Sequence, residues 1–186
     1  MKLATAFLSV SDYLKGEQNS PLRHEYLGGE LFAMTGGSEA HNRIAGNLYA
    51  RLLTHLRGSG CKTFIADMKV NIEIAQNTAV FYYPDVMVTC DAEDSEKYYK
   101  TRPCLIVEVL SPSTEKLDRR EKRLNYQTLP SLQDYLLVSQ EESTVELYHR
   151  DETGNWVRSI FEKDDTLPLK SVSLTLPVAE IYEEVL

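Results

Sequence analysis

Residues 104–113, CLIVEVLSPS, set a single carboxylate inside an apolar run. Six of the seven residues from position 104 to 110 are apolar, which predicts a β-strand buried on both faces. Glu108 is the exception. An isolated carboxylate in such a place costs several kcal/mol unless a cation, a metal ion or a proton compensates its charge. The chain therefore has to fold so that a partner for Glu108 lies close to it.

The size and composition of the chain indicate one folded domain. With 186 residues, 42% of them hydrophobic and 26% charged, the chain can bury a sizeable core, and no linker divides it, so we expect a single domain over residues 1–186. An apolar run near the length of a membrane helix is missing from the sequence. The first ten residues lack the basic start and long apolar centre of a signal peptide, which predicts a cytoplasmic protein.

Cysteines and net charge narrow the choice of function. The three cysteines are widely spaced and form no C-x-x-C pair, which suggests neither a disulfide framework nor a zinc site and predicts core thiols. The net charge of −8 argues against unspecific adhesion to nucleic acid. A metal-dependent phosphodiester enzyme remains compatible with this charge, because it carries carboxylates for its ions and can keep its basic residues local.

Periodicity and turn signals predict a mixture of helices and strands. Ahead of the central strand we expect a short helix at 9–16, a hairpin at 23–34 that turns at Gly28-Gly29, a helix starting near Ser38, and two neighbouring antiparallel strands at 61–74 and 79–89. A solvated loop covers 91–102. After the central strand come a helix at 115–128, strands at 134–139, 144–149 and 156–161, and a tail with one short strand and a helical turn.

Asp85 is the first candidate partner for Glu108. It starts an apolar strand run after Pro84, and alternation would direct it to the same side of the sheet as Glu108 if the two strands are neighbours. Two close carboxylates repel each other, and a divalent cation commonly holds both in the ionised form. The plainer alternative is that Asp85 caps a turn and Glu108 pairs with an arginine in the core.

The helix after the central strand carries the densest basic cluster of the chain: Lys116, Arg119, Arg120, Lys122 and Arg123. Pairs such as Asp118 with Lys122 can be simple surface ion pairs worth a few tenths of a kcal/mol. Alternatively, one basic side chain reaches back over the end of the strand toward Glu108. A lysine suits that task, because an ammonium can offset charge that develops on phosphorus or orient an attacking water.

These residues together resemble a known family. Residues 83–86 (YPDV), residues 108–114 (EVLSPST), and Asp118, Lys122 and Tyr126 at four-residue intervals resemble the Uma-two family of restriction-endonuclease-like proteins, within the PD-(D/E)XK nuclease superfamily. Residues 29–31 (GEL) and the pair Ser38 and His41 also stand in the family's usual order, so the resemblance covers most of the chain.

The resemblance implies an α/β (α+β) fold of the restriction-endonuclease-like kind, a mixed β-sheet flanked by helices, with an N-terminal hairpin and C-terminal strands. It also implies that Asp85 and Glu108 bind a magnesium or manganese ion. The superfamily pattern would put a lysine two residues after the glutamate, where this chain has Leu110. Lys122 on the following helix is the matching lysine, which leaves both a relocated and a degenerate catalytic site open.

Two further residues are possible auxiliaries of the site. Glu30, beside the hairpin bend, is either an additional acidic ligand or a solvated turn residue. His41, in the first turn of its helix, is either a structural histidine or a base close to a metal-bound water.

The leading hypothesis is a magnesium-dependent DNA endonuclease with Asp85, Glu108 and Lys122 as catalytic residues. Lys116, Arg119, Arg120 and Arg123 would contact DNA, and a homodimer is expected. The rival hypothesis is a binding or regulatory module that kept the nuclease scaffold and lost turnover. A third is a structural dimer that associates through an exposed sheet edge at 144–149 or 156–161.

Overall fold

A computed structural model of the chain describes residues 7–74, 78–112 and 115–185. Its strands form a five-stranded sheet, a six-stranded sheet and a two-stranded ribbon. None of the helices in these ranges is long and apolar enough to cross a membrane.

The N-terminal part is a short helix followed by a hairpin, as predicted. Helix α1 (Val10–Asn19) begins after Ser9, whose hydroxyl oxygen accepts a hydrogen bond from the Asp12 backbone N–H at 3.1 Å. Strands β1 (His24–Leu27) and β2 (Glu30–Ala33) pair antiparallel. Gly28 and Gly29 turn the chain with φ angles of 57° and 107°, which a residue with a side chain adopts only under strain.

Helix α2 (Glu39–His55) carries the predicted apolar stripe. Ser38 caps it by accepting a hydrogen bond from the His41 backbone N–H at 3.1 Å. Ile44, Leu48 and Leu52 are fully buried against the large sheet. The cap and the stripe together fix the helix so that its first turn, with His41, faces the end of the central strands.

The two long strands predicted between the cysteines are each broken, which corrects that part of the prediction. Strands β3 (Lys62–Ile65) and β6 (Val86–Thr89) pair in the six-stranded sheet, whereas β4 (Lys69–Ile74) and β5 (Thr78–Tyr82) pair in the five-stranded sheet. Ala66 adopts a positive φ of 56° at the first break, and Pro84 lies in the second. A short strand, β7 (Tyr99–Lys100), lies inside the predicted loop and joins β4.

The predicted buried strand is the centre of the larger sheet. Strand β8 (Leu105–Val109) pairs antiparallel with β6 and parallel with β9 (Asp134–Val138). Strands β10 (Thr144–Arg150) and β11 (Trp156–Glu162) complete the sheet, in the order β11-β10-β9-β8-β6-β3. Strand β11 therefore lies at a sheet edge, as predicted, whereas β10 lies inside the sheet.

The parallel connection between β8 and β9 is a helical segment with an irregular middle. It consists of α3 (Glu115–Leu117), a π-helical turn (Asp118–Lys122) and α4 (Arg123–Tyr126). Local π-helical turns widen a helix and occur frequently at functional sites. The segment packs on the sheet face that carries Ile106, while α2 packs on the opposite face with Val107 and Val109.

The C-terminal part has two short strands where one was predicted. Strands β12 (Thr166–Leu169) and β13 (Leu174–Pro177) form a separate ribbon around a 3₁₀ turn (Lys170–Val172). Helix α5 (Val178–Ile181) follows and packs with the core beside α2.

The prediction of three core thiols is wrong for two of the cysteines. Cys61 and Cys90 form a disulfide, because the β3–β6 register that pairs Lys62 with Thr89 places them opposite each other just beyond the strand ends. Cys104 is a free, partly buried thiol whose Sγ lies 3.7 Å from Cys90 Sγ. Burial raises the pKa of this thiol to about 11.

Candidate active site

A buried lysine marks the place where the two larger sheets and the helical segment meet. The Lys122 Nζ atom lies 2.8 Å from Glu25 Oε1, 3.3 Å from Glu108 Oε1 and 3.4 Å from Asp118 Oδ1. Glu25 belongs to β1, Glu108 to β8, and Asp118 precedes Lys122 by one turn. The structure therefore contains the expected contact between a lysine of the helical segment and Glu108 of the central strand.

Burial governs the electrostatics of this cluster. Relative exposures are only 6% for Glu25, 3% for Glu108, 2% for Asp118 and 5% for Lys122. Burial raises the pKa of Glu108 well above its ordinary value, and the charges of Asp118 and Asp85 add to the rise while Lys122 opposes it. Burial alone would lower the pKa of Lys122, but Glu108, Glu25 and Asp118 outweigh it and hold that pKa well above its ordinary value.

The helical segment presents its inward side chains at four-residue intervals. Asp118, Lys122 and Tyr126 are all buried, while the residues between them are exposed or partly buried. The Tyr126 hydroxyl donates a hydrogen bond to Glu108 Oε1 at 2.7 Å. Two donors thus meet on one oxygen of Glu108, which fixes the orientation of that carboxylate.

Asp85 lies in the bend that joins the five-stranded sheet to β6. Because β6 and β8 are antiparallel neighbours, the bend brings Asp85 to the end of β8, where its Oδ2 accepts a hydrogen bond from the Val109 backbone N–H at 2.7 Å. The His41 Nε2 atom lies 3.3 Å from the same oxygen. The interaction with Asp85 raises the pKa of His41 above its ordinary value, although burial opposes the change.

One open cleft collects the predicted catalytic residues. It has a volume of about 280 Å³ and is lined by Asp85, Glu108, Lys122 and His41, together with Asp118 and the 34–38 loop. A larger cavity of about 460 Å³ lies next to it and shares Ser111, Pro112 and Gln140 with it. The carboxylates, the ammonium and the imidazole meet in the smaller of the two.

Other predicted site residues lie elsewhere. Glu30 is exposed at the start of β2 and is not among the residues that line the cleft, whereas Glu25, which was not predicted, reaches the centre of the cluster. Within the basic cluster, Lys116 and Arg120 are exposed. Arg119 pairs with Glu115 and Glu146, and Arg123 bonds to the Arg119 carbonyl oxygen.

The chemistry of the cleft fits a hard divalent cation bound by few protein ligands. Four carboxyl groups, those of Glu25, Asp85, Glu108 and Asp118, lie around one ammonium and one imidazole in a buried place, so oxygen ligands of the type such an ion prefers are at hand. Magnesium is commonly held by one or two carboxylates while it keeps several waters. Across the described ranges, no three His, Cys, Asp or Glu side chains are arranged as a ready-made metal cluster.

The sheet order, the crossover helix and the carboxylates at the ends of the central strands define a restriction-endonuclease-like fold. A crystal structure described as "a putative nuclease belonging to DUF820" from Anabaena variabilis has this fold: it superposes with a TM-score of 0.74 at 16% identity, covering 96% of this chain and 99% of that one. At this identity the likeness shows the fold alone.

Sequence comparison then assigns the family. Residues 10–179 match the model of the Uma2 (Uma-two) family, described as "Putative restriction endonuclease", and the chain belongs to that family. The protein slr1290 of Synechocystis sp. PCC 6803 is 42% identical over 176 residues, covering 94% of this chain and 91% of its own length. The protein sll1609 of the same organism is 33% identical over 156 residues, covering 82% and 86%. Family and fold together support a nuclease at the level of class.

Proposed function

We propose that the protein is a DNA endonuclease that depends on magnesium or manganese. Asp85 and Glu108 would hold the ion, and Lys122 would act as the catalytic lysine. The observation that carries the proposal is the 3.3 Å contact between Lys122 Nζ and Glu108 Oε1 in the cleft that Asp85 also lines. The usual motif position holds Leu110, which has no ammonium group, and Lys122 would provide that group instead.

The residues in and beside the cleft would each have a definable task in phosphodiester hydrolysis. A bound divalent ion would polarise the phosphate and lower the pKa of a coordinated water. Lys122, a buried residue that lines the cleft, would offset with its positive charge the negative charge that builds up on the phosphate. Tyr126 holds the Glu108 carboxylate at 2.7 Å in a fixed orientation. His41, whose Nε2 lies 3.3 Å from Asp85 Oδ2, would accept or donate a proton in the cleft.

DNA contact is assigned to the exposed part of the basic cluster. Lys116 and Arg120 are exposed on the helical segment that borders the cleft, so their charges are open to phosphates. Arg119 and Arg123 are engaged in contacts within the protein. We also propose a homodimer acting in the cytoplasm on its DNA substrate, with the edge strand β11, where Val157 and Ile160 are exposed, as its contact.

A second candidate function is a binding or regulatory module without turnover. Leu110 at the usual lysine position favours it, as does the enclosure of Lys122 among three carboxylates. The two candidates differ in one measurable property, which is the rate of phosphodiester cleavage.

The test is cleavage of supercoiled plasmid in the presence of Mg²⁺ or Mn²⁺. We compare the wild type with Asp85→Asn and Lys122→Met, and use Lys163→Met, in an exposed turn, as the matched control. The nuclease predicts cleavage by wild type and control and a loss of about 100-fold or more in both site variants. If all four proteins cleave at the same rate, or if none of them cleaves, the assignment of Asp85 and Lys122 as catalytic residues is excluded.

Ion binding is measured separately by titration calorimetry with Mn²⁺. Asp85→Asn should weaken Mn²⁺ binding while Lys163→Met should not, because only the former removes a proposed ligand. Binding that is the same in all variants would contradict the ligand assignment even if plasmid cleavage were observed.

A further inference from the structure

Glu25 is the carboxylate nearest to the proposed catalytic lysine, although it lies on a different sheet from Glu108. Its Oε1 lies 2.8 Å from Lys122 Nζ, closer than Glu108 at 3.3 Å and Asp118 at 3.4 Å. Strand β1 belongs to the five-stranded sheet, whereas β8 with Glu108 belongs to the six-stranded sheet. Lys122 is therefore held between the two sheets.

The other two carboxylates beside Lys122 cannot hold its ammonium from the five-stranded sheet. Asp118 lies on the same helical segment, one turn before Lys122, and moves with it. Glu108 attracts the ammonium from the side where the ion and the phosphate would bind. A lysine side chain has a flexible four-carbon stem and a compact charge that can settle near any of several carboxylates. Of these three carboxylates, Glu25 is the one that holds the ammonium from the five-stranded sheet.

The neighbourhood of Glu25 confirms that the five-stranded sheet meets the helical segment here. The register that pairs Tyr26 with Phe81 places Glu25 next to Tyr82 across β1 and β5. Lys122 Nζ lies 5.4 Å from the centroid of the Tyr82 ring, and the Tyr82 hydroxyl accepts a hydrogen bond from Asn125 Nδ2 at 2.8 Å. The Glu25 carboxylate and the Tyr82 ring are thus two points at which this sheet contacts the helical segment.

The hairpin has other anchors besides the buried charge of Glu25. The rings of Tyr13, Tyr26 and Phe81 form a cluster with centroids 4.9 to 6.0 Å apart. The Tyr26 hydroxyl also donates a hydrogen bond to the Leu8 carbonyl oxygen at 2.8 Å. A buried ion pair often adds little to stability compared with apolar residues of the same volume, and it demands another reason for its presence.

We propose that Glu25 is a positioning residue that holds the Lys122 ammonium at Glu108 from the opposite sheet and thereby sets the rate of the chemical step. The inference deepens the proposed nuclease function and rests on it. Removing Glu25 should leave substrate binding intact and lower the turnover rate, because the lysine loses its fixed position and not its charge.

Steady-state cleavage kinetics with Mg²⁺ test this role. Glu25→Gln keeps the side-chain volume and removes the charge, whereas Glu25→Asp keeps the charge on a shorter side chain. Glu73→Gln is the control, at an exposed position of the same sheet. We expect kcat to fall about 10- to 100-fold in Glu25→Gln with KM within about twofold of wild type. Glu25→Asp should recover part of the loss, and Glu73→Gln should match the wild type.

Combination with Lys122→Met separates positioning from a general structural effect. If Glu25 acts through Lys122, adding Glu25→Gln to Lys122→Met lowers kcat no further. An additional loss in the double variant equal to that in the single variant would overturn the inference. A wild-type rate for Glu25→Gln would overturn it as well, while leaving the nuclease proposal in place.

A double-mutant cycle on unfolding gives a readout that needs no activity. Denaturant unfolding of wild type, Glu25→Gln, Lys122→Met and the double variant should show that the two changes are coupled about tenfold or more in the unfolding equilibrium constant. Independent effects would contradict the contact itself and overturn the inference. Coupling without any metal-dependent cleavage by the wild type would remove the nuclease function and, with it, the catalytic part of the inference.

Discussion

The Tyr126 hydroxyl and Lys122 Nζ both bind Oε1 of Glu108, and the shorter of the two contacts, 2.7 Å, is that of Tyr126. Tyr126 and Glu108 are both buried, so this hydrogen bond forms where an unpaired carboxylate would be least stable. Burial and the charge of Glu108 raise the pKa of Tyr126 well above its ordinary value, so the hydroxyl stays protonated and keeps donating. The tyrosine therefore orients the carboxylate without adding a charge to it.

Tyr126→Phe is expected to lower both activity and stability. Loss of a hydrogen bond to a buried carboxylate costs about 1.5 to 3 kcal/mol in the free energy of unfolding. Cleavage should slow about tenfold, because Glu108 loses one of the two donors on Oε1. The matched control is Tyr182→Phe, whose hydroxyl donates to the backbone carbonyl oxygens of Ser139 and Thr144. It should lower stability only, and equal rates for both variants would contradict an orienting role.

Gly37→Ala should disturb His41 without straining the backbone. A Cβ at position 37 would lie 2.8 Å from His41 Nδ1 and 3.0 Å from its Cγ, so the imidazole must shift and its 3.3 Å contact with Asp85 is disturbed. Cleavage should slow about tenfold, and the NMR signals of the His41 ring should shift. Gly36→Ala serves as the control, since a Cβ there meets nothing within 4 Å. Equal rates for both alanine variants would exclude a role for the His41 position in cleavage.

The predicted DNA contacts divide into two groups that mutation should separate. Lys116→Gln with Arg120→Gln removes two exposed charges, so DNA affinity should fall and the slope of log affinity against log salt should drop by about one to two. Arg123→Gln removes the same type of charge, but its side chain is bonded to Arg119 O and lies 5.2 Å from the Tyr148 ring centroid. Arg123→Gln should lower the melting temperature and leave the salt slope close to that of the wild type. Identical salt slopes in all variants would contradict the assignment.

Two residues of the site could be predicted because they break a local pattern: Glu108 interrupts an apolar strand, and Asp85 follows a proline at the start of another. Lys122 breaks no such pattern, and only the family resemblance singled it out from the basic cluster. Each irregularity costs free energy unless a partner compensates it, so each signals a contact. The structure brings all three residues to one cleft.

Other features depend on pairings that no local pattern reveals. Glu25 and Glu30 are both acidic residues beside one hairpin bend, and only the pairing of β1 with β5 turns Glu25 toward the lysine. The Cys61–Cys90 disulfide likewise follows from the register of β3 with β6, across a sequence separation of 29 residues. The breaks near Ala66 and Pro84 distribute two apparently continuous strands over two sheets. Long-range contacts decide each of these outcomes.

Glu146 links the helical segment to the outer strands and should make the free energy of unfolding depend on pH. Its carboxylate accepts a hydrogen bond from Arg158 Nε at 2.7 Å and a second from Arg119. Burial alone would raise the pKa of Glu146, but the two arginines outweigh it and lower that pKa below its ordinary value. A depressed pKa in the folded state means that the stabilisation is complete above the unfolded-state pKa and disappears as pH falls through the folded-state pKa.

Glu146→Gln should therefore lower the free energy of unfolding by about 1 to 3 kcal/mol at pH 7, where two arginines lose their shared partner. The difference from wild type should shrink below about pH 4, because the wild-type carboxylate is then increasingly protonated. Urea unfolding between pH 3 and 8 measures both effects, and Glu152→Gln, on an exposed turn, controls for the loss of one negative charge. A difference that stays constant across this range would show that Glu146 stabilises the fold by packing and not by its charge.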